Sequence, residues 1–295
     1  MQIHRGPRRE AMRGFLPQPK WLPEVTTPVV TIPGRVSYII PAYNAEHTLS
    51  ECLRSIFNQT RHPQEIIIVD DASTDETWQV VHDMSRGHET IIAVQQQRNL
   101  GASAARNRAI RMASGEFVIF QDADDVAPLN RTELCLQLFA DTGADLIYGQ
   151  KERFARDCRH RVGADRAFVP TPHNIVRGTG CGMGAMATRR HLHLDRNIWL
   201  DETMAGAEDA DLLMQCLSAG VGVHCSDEVL CWRRESETSL RNYVDWGLMR
   251  RYMMCKHRRW LERYVGRPMP VTADEEEEIW QLRRDAGTVR VENTS

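Results

Sequence analysis

A chain of 295 residues, 42% of them hydrophobic, has enough apolar material for one large α/β domain or two modest ones around a sizeable core. Its net charge of −3 supplies no global positive field, which excludes general recruitment of nucleic acid. The eight cysteines, at 52, 135, 158, 181, 216, 225, 231 and 255, include no Cys-x-x-Cys pair and no matching histidine spacing, so they read as buried thiols in a reducing compartment rather than zinc ligands. Met1 to Lys20 lacks the apolar core of a secretory signal and no apolar run reaches transmembrane length, so a cytoplasmic location is expected.

Prolines at 7, 17, 19, 23, 28 and 33 make residues 1–35 an expected extended arm. Val36 to Ile40 is an apolar strand pattern ended by Pro41, after which Leu49, Cys52, Leu53, Ile56 and Phe57 recur at helical spacing up to His62-Pro63. Ile66 to Val69 has the β-branched composition of a strand buried on both faces. Trp78 and Val81 mark a second helix, Ile91 to Val94 a third strand, Ala102 to Met112 a third helix and Phe117 to Phe120 a fourth strand. Leu134, Leu138 and Phe139 mark another helix, expected to begin near Pro128, and Leu146 to Tyr148 another strand. This alternation predicts an α/β fold with a mostly parallel sheet, helices on both faces and ligands at the carboxyl ends of the strands.

After Gly149 the pattern becomes irregular, with Arg-rich turns and a glycine cluster at 178, 180, 182 and 184 expected to line a substrate cleft. A helix from Glu208-Asp209 has the buried stripe Leu212, Leu213, Cys216 and Leu217 and ends at Ala219-Gly220, and Val221 to Cys225 follows as a strand. Residues 239–265 read as one long amphipathic helix before the acidic run Asp274 to Glu278. That helix holds eight basic residues if Arg267 is counted, against Asp245 and Glu262, and fits either a packing helix with a solvated basic face or a peripheral membrane contact.

The strand ends converge on chemistry. Tyr43-Asn44, Asp70-Asp71, Gln95 to Asn99 and Asp122 to Asp125 all fall on one predicted rim. Asp122 and Asp124 are two apart on an extended segment and point to the same side, as two ligands of a hard cation would; a solvated acidic turn is the competing reading. Only one of the adjacent Asp70 and Asp71 is expected to face a ligand, with Asp75 capping the next helix.

Five segments occur in one order. They are Val36 to Asn44 (VSYIIPAYN), Val69 to Asp75 (VDDASTD), Asn99-Leu100-Gly101 through Arg106-Asn107, Asp122-Ala123-Asp124-Asp125, and Glu208-Asp209. Together they resemble the family 2 glycosyltransferases of the GT-A fold, over residues 36–217. The resemblance implies a Rossmann-like central sheet with a C-terminal helical extension, a nucleotide-diphospho-sugar donor (a UDP-sugar favoured), a divalent Mn2+ or Mg2+, and transfer with inversion to a saccharide, lipid-linked or protein hydroxyl. It also implies a domain at 36–235, divided near 150 into nucleotide and acceptor halves, with 236–295 as helix and acidic tail.

On these motifs Asp124 is the expected metal ligand, with Asp122 sharing the metal or binding the ribose. Asp71 would contact the base, Pro41, Ala42 and Tyr43 would border it, and Ala123 would lie against the donor. Arg106 would place a cation near the nucleotide. Two residues keep two readings: Asp125 binds the donor sugar or caps the following helix, and Glu46 binds nucleotide or favours a helix N-terminus. Asp209 is the expected general base for the acceptor hydroxyl, while Glu208 and Asp211 are expected to stabilise the N-terminus of its helix. Similar enzymes often carry Tyr-Arg-Arg-His where this chain has Cys231-Trp232-Arg233-Arg234-Glu235, so Glu235 stands in place of a histidine that assists the metal or diphosphate. That substitution admits a carboxylate-completed metal site, weaker metal dependence or a noncatalytic nucleotide-sugar-binding relative; Arg233 and Arg234 are diphosphate ligands or surface residues. A nucleotidyltransferase would ordinarily need a Gly-rich phosphate loop that Pro41-Ala42-Tyr43-Asn44 does not supply.

Overall fold

The computed structural model describes residues 30–155, 160–169, 182–204, 206–236 and 246–265. The first half follows the expected alternation: β1 (Ile32–Ala42), α1 (Leu49–Phe57), β2 (Glu65–Asp70), α2 (Thr77–Ser85), β3 (Ile91–Gln95), α3 (Ala102–Met112), β4 (Gly115–Phe120) and α4 (Arg131–Thr142). The second half adds β5 (Leu146–Phe154), β6 (Arg161–Asp165), β7 (Met186–Arg189), the single turn α5 (His191–Leu194), α6 (Glu208–Ser218), β8 (Val223–Arg234), α7 (Trp246–Lys256) and α8 (Arg258–Val265).

The strands form one sheet in the order β3-β2-β1-β4-β7-β5-β6, with β8 also paired to β5. β1 pairs in parallel with both β2 and β4, and β2 with β3. Ala42 lies opposite Asp70, Asp70 opposite Gln95 and Ile39 opposite Phe120, so four strand ends reach the same edge. The chain runs outward from β1 in both directions, toward β2 and β3 on one side and β4 on the other. A crevice opens at such a reversal, beyond the carboxyl ends of β1 and β4.

Apolar cores fill both faces of the sheet. Leu49, Cys52, Leu53 and Ile56 of α1 bury one stripe, and with Phe139 of α4 they cover Tyr38, Ile40 and Ile68. Ala105, Ala109 and Ile110 of α3 cover Ile39 and Ile67 on the other face, joined there by Leu212 and Leu213 of α6 and by Tyr252, Met253 and Leu261 of α7 and α8. Each Ile or Leu so buried contributes about 1.5–3 kcal/mol. The alanines of α3 let its backbone lie close to the sheet, which sets the depth of Arg106 one residue further on.

Several boundaries differ from the sequence expectation. The first strand begins at Ile32, inside the expected arm, and Pro33-Gly34 (Gly34 φ 73°) shifts its register against β4 between Ile32 and Val36. Pro41 is tolerated within β1 because the β4 ladder has already ended at Ile39. β5 continues through Gly149 to Phe154, hidden from a hydrophobicity reading by Gln150 to Arg153; at Gly149 a Cβ would lie 2.5 Å from the Glu228 carbonyl of β8. β7 enters antiparallel between β4 and β5, and β6 is antiparallel to β5. β8 runs on past Cys225 to Arg234, and α4 starts at Arg131 rather than near Pro128. Over its described part, 246–265, the expected single C-terminal helix is two helices broken at His257, whose ring turns inward to Asp211; residues 239–245 and the acidic run lie outside the described residues. No helix among the described residues is long and apolar enough to cross a membrane.

Candidate active site

The rim at the ends of β1 and β2 is built by short side chains in tight turns. The Asn44 (φ 49°) side-chain oxygen accepts the Thr74 N–H at 2.9 Å, which ties the loop after β1 to the loop after β2, and Ala72 (φ 61°) also takes the left-handed conformation. Asp75 accepts the Thr77 N–H at 3.0 Å at the start of α2, in its expected capping role. Glu46 accepts the Glu76 N–H at 2.8 Å, so it does serve a helix N-terminus, that of α2. Asp71 is buried and accepts the N–H groups of Leu100 and Gly101, each at 2.8 Å, and the Gln96 amide at 2.5 Å. Burial raises its pKa against the pull of those donors. Asp70 instead bonds Ser73 and Gln95, so the two adjacent aspartates part as the strand period requires. Pro41 and Ala42 line the end of β1, where the Ala42 carbonyl receives the Asp71 N–H at 2.8 Å, and Tyr43 and Leu100 are exposed beside Asp71.

The acidic loop after β4 is held from three sides. The Arg131 guanidinium, fully buried, reaches Gln121 Oε1 at 2.5 Å and the Phe120 carbonyl at 2.7 Å from beneath. β8 comes alongside through mutual backbone bonds between Val126 and Trp232, both 2.9 Å. Arg234 gives its N–H to Asp125 Oδ1 and its Nε–H to the Asp124 carbonyl, both at 2.9 Å, and its terminal nitrogen pairs with Glu51. Gly184 closes the third side: a Cβ there would stand 3.1 Å from Asp122 Oδ2 and 3.2 Å from Asp125 Oδ2.

Burial, with crowding of carboxylates second to it, sets the electrostatics of the loop. Burial and the neighbouring Asp122 push the Asp124 carboxyl up to about 6, partly opposed by Arg234 and Arg233. Burial, then Asp124 and Asp122, raises Asp125 well above the ordinary range. Asp125 receives the Arg234 N–H and the Cys231 thiol and does not cap α4, whose N-cap is Asn130, because the loop turns Asp125 inward against β8. A cation would relieve this repulsion. Among the described residues no three or more His, Cys, Asp or Glu side chains are arranged to hold a metal alone. Asp124 with Asp122 would supply two carboxylates to a hard divalent ion, whose remaining oxygens would have to come from outside the protein.

Arg106 links the two halves. It is buried, donates to Asp122 Oδ1 at 2.7 Å and to Glu208 Oε1 at 2.9 Å, and those two carboxylates keep its pKa high against the effect of burial. Glu208 opens α6, which follows the left-handed Ala207 (φ 62°), and the half-buried Asp209 is its next residue. Asp211 does not serve the helix N-terminus as expected: it is buried and turned to Lys256 and His257 of the C-terminal helices. Glu235 pairs with Arg153 at 2.6 Å, and Arg233 with Asp165 at 2.9 Å. Glu235 is thus engaged away from the acidic loop. His193 is buried, with Thr188 and the Ile198 carbonyl as its partners. Ala123 is buried within the loop. In the glycine cluster, 178 and 180 lie outside the described residues. Glu51 and Arg131 carry no local mark in the sequence; each is brought to the loop from a neighbouring helix, α1 or α4.

The chain matches the Glycosyl transferase family 2 model over residues 37–194, more than half its length, and belongs to that family. It is 35% identical over 117 residues to the UDP-Glc:alpha-D-GlcNAc-diphosphoundecaprenol beta-1,3-glucosyltransferase WfgD of Escherichia coli, covering 40% of this chain and 46% of that protein. It is 40% identical over 94 residues to a poly(ribitol-phosphate) beta-glucosyltransferase of Bacillus spizizenii, covering 31% of this chain and 15% of that one. The match thus spans less than half the length of either relative. Among solved structures, S. aureus TarS 1-349 in complex with UDP-GlcNAc superimposes with a TM-score of 0.60 at 21% identity, over 85% of this chain and 72% of that one. The mannosyltransferase PcManGT from Pyrobaculum calidifontis, in complex with GDP-Man and Mn2+, gives 0.57 at 21% identity, over 90% and 73%. The fold is shared with these proteins.

Proposed function

We propose that this chain is an inverting glycosyltransferase that moves a sugar from a nucleotide diphosphate, a UDP-sugar in the favoured case, to an acceptor hydroxyl. The carrying observation is the Arg106 bridge, which ties Asp122 of the acidic loop to Glu208 beside Asp209. Asp71, Tyr43, Pro41 and Ala42 border the base, and Asp122, Ala123 and Asp125 lie along the ribose, diphosphate and sugar. Asp124, sharing with Asp122, would hold a divalent cation that neutralises the diphosphate as its bond to the sugar breaks. Arg106 adds a buried positive charge on the same side. Asp209 accepts the proton of the acceptor hydroxyl while that oxygen attacks the anomeric carbon from the face opposite the diphosphate, which departs with the electron pair of the broken bond.

The names of the similar proteins support a UDP-sugar donor and acceptors in surface polysaccharide synthesis, among which a lipid-linked saccharide is favoured. Transfer to such an acceptor would take place at the membrane surface on the cytoplasmic side, where the exposed Arg251, Arg259 and Arg263 would meet anionic lipid. The unit doing this work is residues 36–235, with the C-terminal helices packed on it. The test is Asp209→Asn: it should bind UDP with Mn2+ like the unaltered protein and lose sugar transfer. Transfer at the original rate to a defined acceptor removes Asp209 as the base.

A further inference from the structure

The helices α7 and α8 lie beyond the residues matched by the family model, yet they place a lysine and a histidine at the root of the helix that carries Asp209. Asp211, with no exposed surface, accepts Lys256 Nζ at 2.8 Å and the Gln215 amide at 2.8 Å on Oδ2, and its Oδ1 lies 2.8 Å from His257 Nε2. Lys256 Nζ also reaches Asp201 Oδ2 at 2.8 Å, joined there by the Tyr252 hydroxyl at 2.8 Å. Asp201 Oδ1 in turn holds the Thr203 N–H and hydroxyl at 3.0 and 2.6 Å, fixing the loop that leads into α6. The far side of that loop is pinned by Asn107, which donates to the Leu200 carbonyl at 2.8 Å and Glu202 at 2.9 Å and receives the Leu200 N–H at 3.2 Å. Asn107 is the neighbour of Arg106.

The result is a closed ring of polar contacts, most of them wholly or partly buried: Arg106 to Glu208, α6 to Asp211, Asp211 to Lys256, Lys256 to Asp201, and the 200–204 loop back to Asn107. Asp209 lies in the span between Glu208 and Asp211, two polar anchors in the first turn of α6. Just before it, Ala207 holds a left-handed conformation that an alanine adopts only when its surroundings enforce it.

We propose that Lys256 and His257 are positioning residues, which hold the first turn of α6 so that Asp209 faces the acceptor side of the diphosphate site. The proposal rests on the reading of Asp209 as the base. Lys256 is suited to the task because one ammonium with three donors spans two carboxylates from different segments, Asp201 and Asp211, which are 8% and 0% exposed. Its hydrogen bonds, with those of Thr203 and Tyr252, hold Asp201 below the usual carboxylate range despite burial, and His257 and Lys256 do the same for Asp211. Both carboxylates therefore stay charged and the tie does not relax near neutral pH.

The experiment compares the full chain with Lys256→Met, Lys256→Arg and His257→Gln in two measurements. Amide hydrogen exchange over 206–213 in the complex with UDP and Mn2+ reads the anchoring of α6. Release of UDP from UDP-glucose with water as acceptor, per folded molecule, reads the chemistry against UDP affinity. Lys256→Met should raise exchange over 206–213 and lower turnover by about tenfold or more each, leave UDP affinity within about twofold, and be largely rescued by Lys256→Arg. Unchanged exchange over 206–213 overturns the proposal, whatever donor the enzyme accepts. So does a loss of UDP affinity in step with turnover, since that marks general support of the fold. Asp209→Asn, run alongside, separates the two readings: turnover surviving in that variant removes the base assignment, while the exchange result still decides the anchoring.

Discussion

Replacing Arg106 with methionine tests the link between the two halves of the site. The side chain is 5% exposed and divides its guanidinium between Asp122 at 2.7 Å and Glu208 at 2.9 Å. Removing one partner of a fully buried ion pair costs about 3–5 kcal/mol. Here the stranded carboxylates are 30% and 18% exposed and regain water, so about 2–3 kcal/mol of stability should be lost. A negative cluster stripped of its buried cation also repels diphosphate, and UDP affinity in Mn2+ should fall about 10–100-fold. Arg106→Lys should be intermediate, because one ammonium cannot reproduce a fork that serves two carboxylates. Urea unfolding gives the first quantity and calorimetric titration of UDP the second. A methionine variant within about 0.5 kcal/mol of the parent, binding UDP equally well, refutes the bridge.

Two further outcomes are expected from groups away from the carboxylates. His193 is wholly buried, its Nε2 2.9 Å from the Thr188 hydroxyl and its Nδ1 2.7 Å from the Ile198 carbonyl, and burial depresses its pKa from 6.5 to about 4. The folded state then binds fewer protons than the unfolded state between those values, so stability is complete above pH 6.5 and falls as pH drops toward 4. The loss is on the order of 3 kcal/mol. His193→Asn should flatten this part of the stability–pH curve by that amount in urea unfolding, and an unchanged slope contradicts the buried neutral imidazole. Gly149→Ala should cost about 1–3 kcal/mol, since the added methyl meets the Glu228 carbonyl and Leu230 of β8, while UDP affinity stays within about twofold; thermal unfolding at neutral stability cost shows the close approach to be absent.

The parts of this molecule legible in its sequence are those with local causes. β-branched runs such as Ile66 to Val69 must be buried on both faces, so the strands of the first half could be read directly; Asp122 and Asp124, by contrast, sit past the end of β4 in a turn closed by the Asp125 N–H on the Asp122 carbonyl, so the period-two argument for an extended segment does not govern them. The second half resisted because its causes are distant. β5 runs on through Gln150 to Arg153 only because β6 and β8 flank it, and β7 enters the sheet by a pairing no periodicity announces. The roles of charged residues divided in the same way. Asp75 acts on the Thr77 N–H two residues on and was recognisable. Asp125, Asp211 and Glu235 took partners 109, 45 and 82 residues away, and no spacing rule foretells such a choice.

The central claim is that Asp124 holds a metal for the diphosphate of the donor. Titration of UDP into the protein with and without Mn2+, repeated on Asp124→Ala, tests it most directly. Mn2+ should tighten UDP binding by about tenfold or more in the unaltered protein, and that gain should vanish in Asp124→Ala while metal-free affinity stays close to the parent's. An equal Mn2+ gain in both proteins, or no gain in either, contradicts the account.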